Sequence, residues 1–312
     1  MNLASIQNFR KSRKGKVILY FLKLALSVLI LWQIFKKVDL FSALKDITSL
    51  PAYIILLLIA ISFLRHTLQF HNWYYSLKLH SKFREKKKSV VSSYFVGQTL
   101  RFAVPGGPAS FAKIFYVPNN SVLASFWSSI AEKSVMTWVT WTFAIIAGIF
   151  YYSKFPLWIW IIVLLVLLSF PFLIKLFLGL SKNFATMKPL YAIQIPKVIA
   201  VQTFSTILCY VQYWLILNCL LPINIWQTFI RMALTQFSNT IPITISGLGL
   251  REGFAIHFLA GAGFSAEQAV STTLTLFFIH DVLPALIGIF FLLQGKKNKS
   301  RQAGQGKDID EI

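Results

Sequence analysis

At 312 residues, 56% hydrophobic and only 13% charged, with a mean hydropathy of +0.64, the chain falls outside the range of soluble globular domains. Its formal net charge of +21 invites a nucleic-acid reading. The cations, however, are banded beside long apolar runs, which argues against nucleic acid as a partner and for a polytopic protein obeying the positive-inside rule.

Arg10, Lys11, Arg13, Lys14 and Lys16 make residues 1–16 a basic cytoplasmic segment. The apolar run Val17–Phe35 then supplies the ~20 residues that cross a hydrocarbon core as helix. Its basic-then-apolar order resembles a signal peptide, but no small-x-small cleavage pattern follows, so an uncleaved first span is expected. A second span is expected at about 51–70. Arg65 and His66 are placed near its cytoplasmic end, where long side chains snorkel. Lys78, Lys82, Arg84, Lys86, Lys87 and Lys88 continue into the cytoplasm.

Ser89–Val104 carries Ser92, Ser93, Gln98, Thr99 and Arg101, and is short and polar for a crossing. It stops at Pro105-Gly106-Gly107-Pro108, which ends any helix. A half-helix, Ala109–Tyr116 with Lys113, is predicted directly after the break. Spans at about 130–152 and 156–178 form a hairpin around Lys154. Glu132 and Lys133 open the first of them, and two readings stand, a cavity-facing pair or an interfacial one.

A cytoplasmic loop bearing Lys175, Lys182, Lys188 and Lys197 leads to a span at 198–221. Both cysteines, Cys209 and Cys219, fall there, ~15 Å apart along the helix and beyond disulfide or shared-ligand reach. They read as packing residues, and no metal is expected. Trp226–Ile241, with Arg231, Gln236, Ser238 and Asn239, ends at Pro242. The stretch 243–253, with Gly247, Gly249 and Gly253, cannot be regular helix throughout, and a short helix 254–261 follows. The last span lies within 266–293, with His280-Asp281 well inside it, and 294–312 is a polar tail.

The fold expected is an all-α integral membrane protein. A single domain over 17–293 holds about six full spans and two Pro/Gly-broken re-entrant hairpins, at about 89–118 and 226–262, as an inverted repeat. This arrangement puts twenty Lys and Arg in the four cytoplasmic segments, against Lys36, Lys37, Lys45 and Lys154 outside. Both termini are therefore expected in the cytoplasm, at the cell membrane.

Broken backbone at membrane depth leaves polar groups that only protein or water can satisfy, so the breaks imply a polar cavity. The half-helix after each break turns its positive end and free N–H groups toward an anionic guest such as a lipid phosphate. A purely structural hairpin is the blander reading. Arg251-Glu252 is the sharpest pair. Adjacent helical residues do not face one another, so separate partners are expected: a phosphate for Arg251 and balancing charge for Glu252. His280 and Asp281 are functional candidates by their depth. The candidate lining is thus Arg101, Pro105, Gly106, Gly107, Lys113, Glu132 and Lys133 from the first half. Asn239, Pro242, Gly247, Gly249, Arg251, Glu252, Gly253, His280 and Asp281 come from the second. Gly247-x-Gly249-x-x-x-Gly253 lacks the strand and spacing of a dinucleotide fingerprint. No catalytic motif is found, a transporter is favoured over an enzyme, and no cofactor is expected.

Pro242-x-x-x-x-Gly247-Leu248-Gly249-Leu250-Arg251-Glu252-Gly253, then Gly261-x-Gly263-Phe264-Ser265-x-Glu267-x-Ala269, then Leu283-Pro284-Ala285-Leu286-Ile287-Gly288, resembles the lysylphosphatidylglycerol synthase transmembrane-region family of flippase-like proteins. Phe102-x-Val104-Pro105-Gly106-Gly107 with Ala131-Glu132-Lys133 looks like that family's first half, and the resemblance spans most of 15–293. It implies movement of an anionic or aminoacylated phospholipid, or a lipid-linked headgroup, across the cytoplasmic membrane. Only about 19 residues follow the last span, so a soluble synthase or transferase partner would be separately encoded. The alternative it implies is a membrane-embedded transferase, or a transferase subunit, acting on a lipid-linked substrate. Where the family carries an acidic residue and an Arg after the first break, this chain has Ala109, Ser110 and Lys113. His280-Asp281 stand where the family often shows Arg.

Overall fold

The computed structural model describes residues 40–80, 87–103, 108–117, 122–180, 187–241 and 247–293, and all regular structure among them is helical. The expected first span, the basic segment before it, the polar tail and Pro105, Gly106, Gly107 and Pro242 lie outside these residues. A short helix α1 (Leu40–Thr48) precedes α2 (Ala52–Leu77). Then come α3 (Lys87–Ala103), a 3-10 segment Pro108–Tyr116, α4 (Val122–Tyr151), α5 (Leu157–Leu180) and α6 (Met187–Leu220). The chain closes with α7 (Ile225–Phe237), α8 (Leu250–Ala260) and α9 (Ala266–Leu293).

Five of these, α2, α4, α5, α6 and α9, are long and apolar enough to cross a membrane. They match the five expected spans that fall within the described residues, so the chain is a multi-pass membrane protein. Among the described residues, the most apolar stretch of α5 holds no fully buried side chain, as a helix facing lipid would.

Several boundaries differ from expectation: α2 runs on to Leu77 rather than stopping near 70, and α8 opens at Leu250 rather than at 254. α6 begins at Met187 and runs through Pro196, so Lys188 and Lys197 are helical rather than in a loop. Tyr191, Ile195 and Val198 pack with Val135 and Val139 of α4 there, and the Tyr191 hydroxyl donates to the carbonyl of Pro171 at 3.1 Å. That burial sustains the helix across a residue that removes one backbone bond. α4 likewise starts at Val122, because Ala124, Ser125, Ser128 and Ser129 are buried.

α3, α7 and α8, of 17, 13 and 11 residues, all fall short of the ~20 a crossing needs. α3 packs against the 3-10 segment, and α7 against α8, giving two hairpins. After the first break the chain is 3-10 rather than the α half-helix expected. In the second hairpin Arg231 Nη1 donates to the carbonyl of Phe258 at 2.6 Å and Nη2 to that of Gly261 at 3.1 Å, capping the end of α8.

The hairpins sit at opposite ends of α2. Trp73, Tyr74 and Leu77 at its C-terminal end form a core with Val90, Tyr94 and Ile114 of the first. Ile54 and Leu58 at its N-terminal end join Met232, Ala233, Phe258 and Leu259 of the second. α4 repeats the division: Phe111 meets Phe126 near its start, while Trp226 meets Phe150 and Phe258 meets Tyr151 near its end. α9 touches both, with Gly288 so close to α3 that a Cβ there would collide with the carbonyl of Phe95 and the hydroxyl of Thr99.

Candidate functional site

Between the hairpins, bounded by α2, α4, α6 and α9, lies a cavity of about 520 Å³. Arg65 of α2, Arg101 of α3, Lys133 of α4 and Arg251 of α8 line it, with Asp281 of α9. Asp281 lies between Arg101 of the first hairpin and Arg251 of the second. Its Oδ1 accepts from Arg101 Nη1 at 2.8 Å, and its Oδ2 stands 4.0 Å from Arg251 Nη1. Asp281 and His280 belong to a π-helical turn, Phe278–Val282, near the midpoint of α9. Such turns are frequent at functional positions, because they interrupt the regular hydrogen-bond ladder.

The Arg251-Glu252 expectation is corrected. The two pair directly: Arg251 Nε and Nη2 both donate to Glu252 Oε1, at 3.1 and 2.9 Å. The i,i+1 rule describes a helix interior, whereas these residues open α8. Glu252 turns its Oε2 back to accept from the Gly249 N–H at 2.6 Å, which brings Oε1 beside the guanidinium. The Gly249 N–H at the start of α8 is therefore bonded within the chain rather than left for a guest. Gly247 and Gly249 reach this geometry at φ 78° and 83°, and a Cβ on Gly247 would strike Asn239 Oδ1.

Lys113 and Glu132 form a buried ion pair in the first hairpin, with the Lys113 ammonium 3.7 Å from the centre of the Trp73 ring. They border a satellite cavity of about 30 Å³ that Arg101 and Lys133 also line. The open question of Glu132 and Lys133 thus resolves toward the interior. Of the expected residues the main cavity gathers Arg101, Lys133, Asn239, Gly247, Arg251, His280 and Asp281. Lys113, Glu132, Gly249 and Glu252 stand behind this lining. Gly253 is not brought in, and a Cβ there would meet nothing within 4 Å.

Arg65 is the main residue that sequence reasoning misplaced. It sits at the middle of the 26-residue α2 and turns inward. Its Nε donates to the Ser205 carbonyl at 3.0 Å, and its Nη1 to His280 Nδ1 at 2.6 Å. His280 Nε2 lies 2.7 Å from the same Arg65 Nη1 and 2.8 Å from Gln212 Oε1, so the ring links Arg65 to Gln212. Arg65 belongs to a polar seam between α2 and α6. Gln69 donates to Gln202 at 3.0 Å and to Ser205 at 2.9 Å, Asn72 to Gln202 at 2.8 Å, and Gln212 to Ser62 at 2.7 Å. The signal was present in the sequence: 62, 65, 69 and 72 recur at helical spacing, and so do 202, 205, 209 and 212.

The sequence profile of the family described as Lysylphosphatidylglycerol synthase TM region matches residues 20–288. No curated protein matches the chain significantly.

Proposed function

Since this chain belongs to the lysylphosphatidylglycerol synthase TM-region family, a family of membrane domains, we propose that it is a flippase-like lipid translocase. It moves a phospholipid or lipid-linked headgroup through the cavity between the hairpins. One observation carries this reading: four cations from four elements converge on a cavity beside the midpoints of α2 and α9. A charge at bilayer centre costs ~3 kcal/mol on insertion scales, so such a cluster is held for a purpose. The hairpins' attachment to opposite ends of α2 supports re-entry from opposite faces, the inverted design that sets transport sites at mid-membrane. With a crossing over 17–35 the chain then has six spans and both termini in the cytoplasm of the cell, as the twenty-to-four division of Lys and Arg favours.

The transferase alternative needs a free carboxylate. Glu252 is held by Arg251 and Gly249, and Asp281 by Arg101, so neither is placed as a general base. Purified protein in liposomes is expected to speed the transbilayer movement of headgroup-labelled phospholipid, and Arg251→Ala to abolish the gain. Failure to move any labelled lipid from the host membrane would overturn the reading.

A further inference from the structure

Building on the translocase reading, we propose that the cavity selects a headgroup phosphate carrying two negative charges and no cation, a phosphomonoester or diphosphate lipid, over an aminoacylated one. Lys113 is closed on Glu132, and Arg251 on Glu252. Three lining cations then remain, Arg65, Arg101 and Lys133, against the single carboxylate of Asp281. Among the described residues Arg65 meets only neutral acceptors, in Ser205, Gln212 and His280. Lys133 makes no salt bridge among the described residues. The site therefore holds an excess of two positive charges.

The candidate headgroups differ in how they meet that excess. A phosphodiester brings one negative charge and leaves half of it. An aminoacyl ester adds an ammonium that cancels the phosphate and sits among like charges. A phosphomonoester carries about −1.5 to −2 at pH 7 and comes closest to neutralising the site. Arginine forks also bind tetrahedral phosphate oxygens in pairs. Asp281, between Arg101 and Arg251, stands where such oxygens would bridge them, as a resident anion beside both arginines. Tyr210, buried and among the lining residues, has a hydroxyl with no hydrogen-bond partner among the described residues, a further donor for a polyanionic group.

Full-length protein in detergent, offered phosphatidic acid, phosphatidylglycerol, lysylphosphatidylglycerol and soluble glycerol 3-phosphate in competition, tests this by native mass spectrometry. Phosphatidic acid is expected to exceed phosphatidylglycerol about tenfold, with the lysyl lipid weakest. Asp281→Asn raises the excess to three and should strengthen phosphatidylglycerol several-fold, a gain that misfolding cannot produce. Lys133→Gln lowers the excess to one and should erase the preference between the two anionic lipids. Lysylphosphatidylglycerol binding as well as phosphatidic acid would overturn the charge rule while leaving translocation standing. Glycerol 3-phosphate matching phosphatidic acid would make the ligand a soluble phosphate and sink the lipid half of the proposal. No retention of any of the lipids would take the translocase reading down with it.

Discussion

Lys113 in the first hairpin and Arg251 in the second both follow a Pro- and Gly-bearing stretch of sequence, yet they find their counter-ions by different routes. Lys113 reaches across to Glu132 on α4, nineteen residues on, with its ammonium packed on Trp73 of α2. Arg251 takes the residue next to it, and that residue also caps the helix both belong to. Neutrality in the first hairpin is a tertiary property that three elements must assemble. In the second it is local and is complete once α8 forms. A charge solved locally tolerates change around it, whereas one solved at a distance ties its hairpin to the spans.

The largest effect should come from breaking the distant pair. Glu132→Gln leaves the Lys113 ammonium buried without a counter-ion, a change that typically costs about 3–5 kcal/mol. A pronounced fall in thermal unfolding temperature in detergent is expected. The double variant Lys113→Met with Glu132→Met should recover most of it, because a buried pair replaced by apolar residues is often near neutral. A single variant as stable as wild type would show that the first hairpin does not depend on α4 for its charge.

Glu252→Gln should cost less, about 1.5–3 kcal/mol for the lost charged hydrogen bonds. The glutamine carbonyl can still accept from Gly249, and Arg251 keeps Asp281 at 4.0 Å. Combined with Asp281→Asn the loss should exceed the sum of the two single changes, since Arg251 then has no carboxylate beside it. Strict additivity in that cycle, read by the same unfolding measurement, would show that Asp281 lends Arg251 no support and that the second hairpin is wholly self-contained.

How much of this was legible in the sequence depended on the length scale of each signal. α5 and α9 were plain, because a long apolar run has few folded alternatives. The start of α6 was not, since Pro196 and the surrounding lysines read as loop, and only packing on α4 keeps that stretch helical. Arg65 was drawn toward the water by its nearness to the basic residues after α2. Hydropathy averaged along a span hides a polar stripe, and the match between Ser62-Arg65-Gln69-Asn72 and Gln202-Ser205-Cys209-Gln212 appears only when α2 and α6 are set side by side. That α3 stops at Ala103 and α7 at Phe237 was legible from the Pro and Gly that follow them. The direct Arg251–Glu252 contact was not, because it rests on Glu252 turning back to the helix start, a rotamer choice that spacing does not encode.

The smallest effects separate the hairpins by sign, through one substitution made in each. Gly253, in the first turns of α8, has open space where a Cβ would go and no positive φ to protect. Gly253→Ala should therefore stabilise the second hairpin by up to about 1 kcal/mol, the usual gain of alanine over glycine within a helix. Gly97, in α3, faces the stem of Lys113, and a Cβ would come within 3.0 Å of its Cδ and 3.2 Å of its Cβ. A free lysine would swing aside, but this one is held between Trp73 and Glu132. The strain of crowding it should offset the gain in helix propensity, leaving Gly97→Ala destabilising by about 1 kcal/mol. In the Lys113→Met, Glu132→Met background the methionine is no longer pinned by charge, and the same Gly97→Ala change should become neutral or favourable. Were it equally harmful there, the crowding would belong to the backbone of the first hairpin rather than to its long-range ion pair.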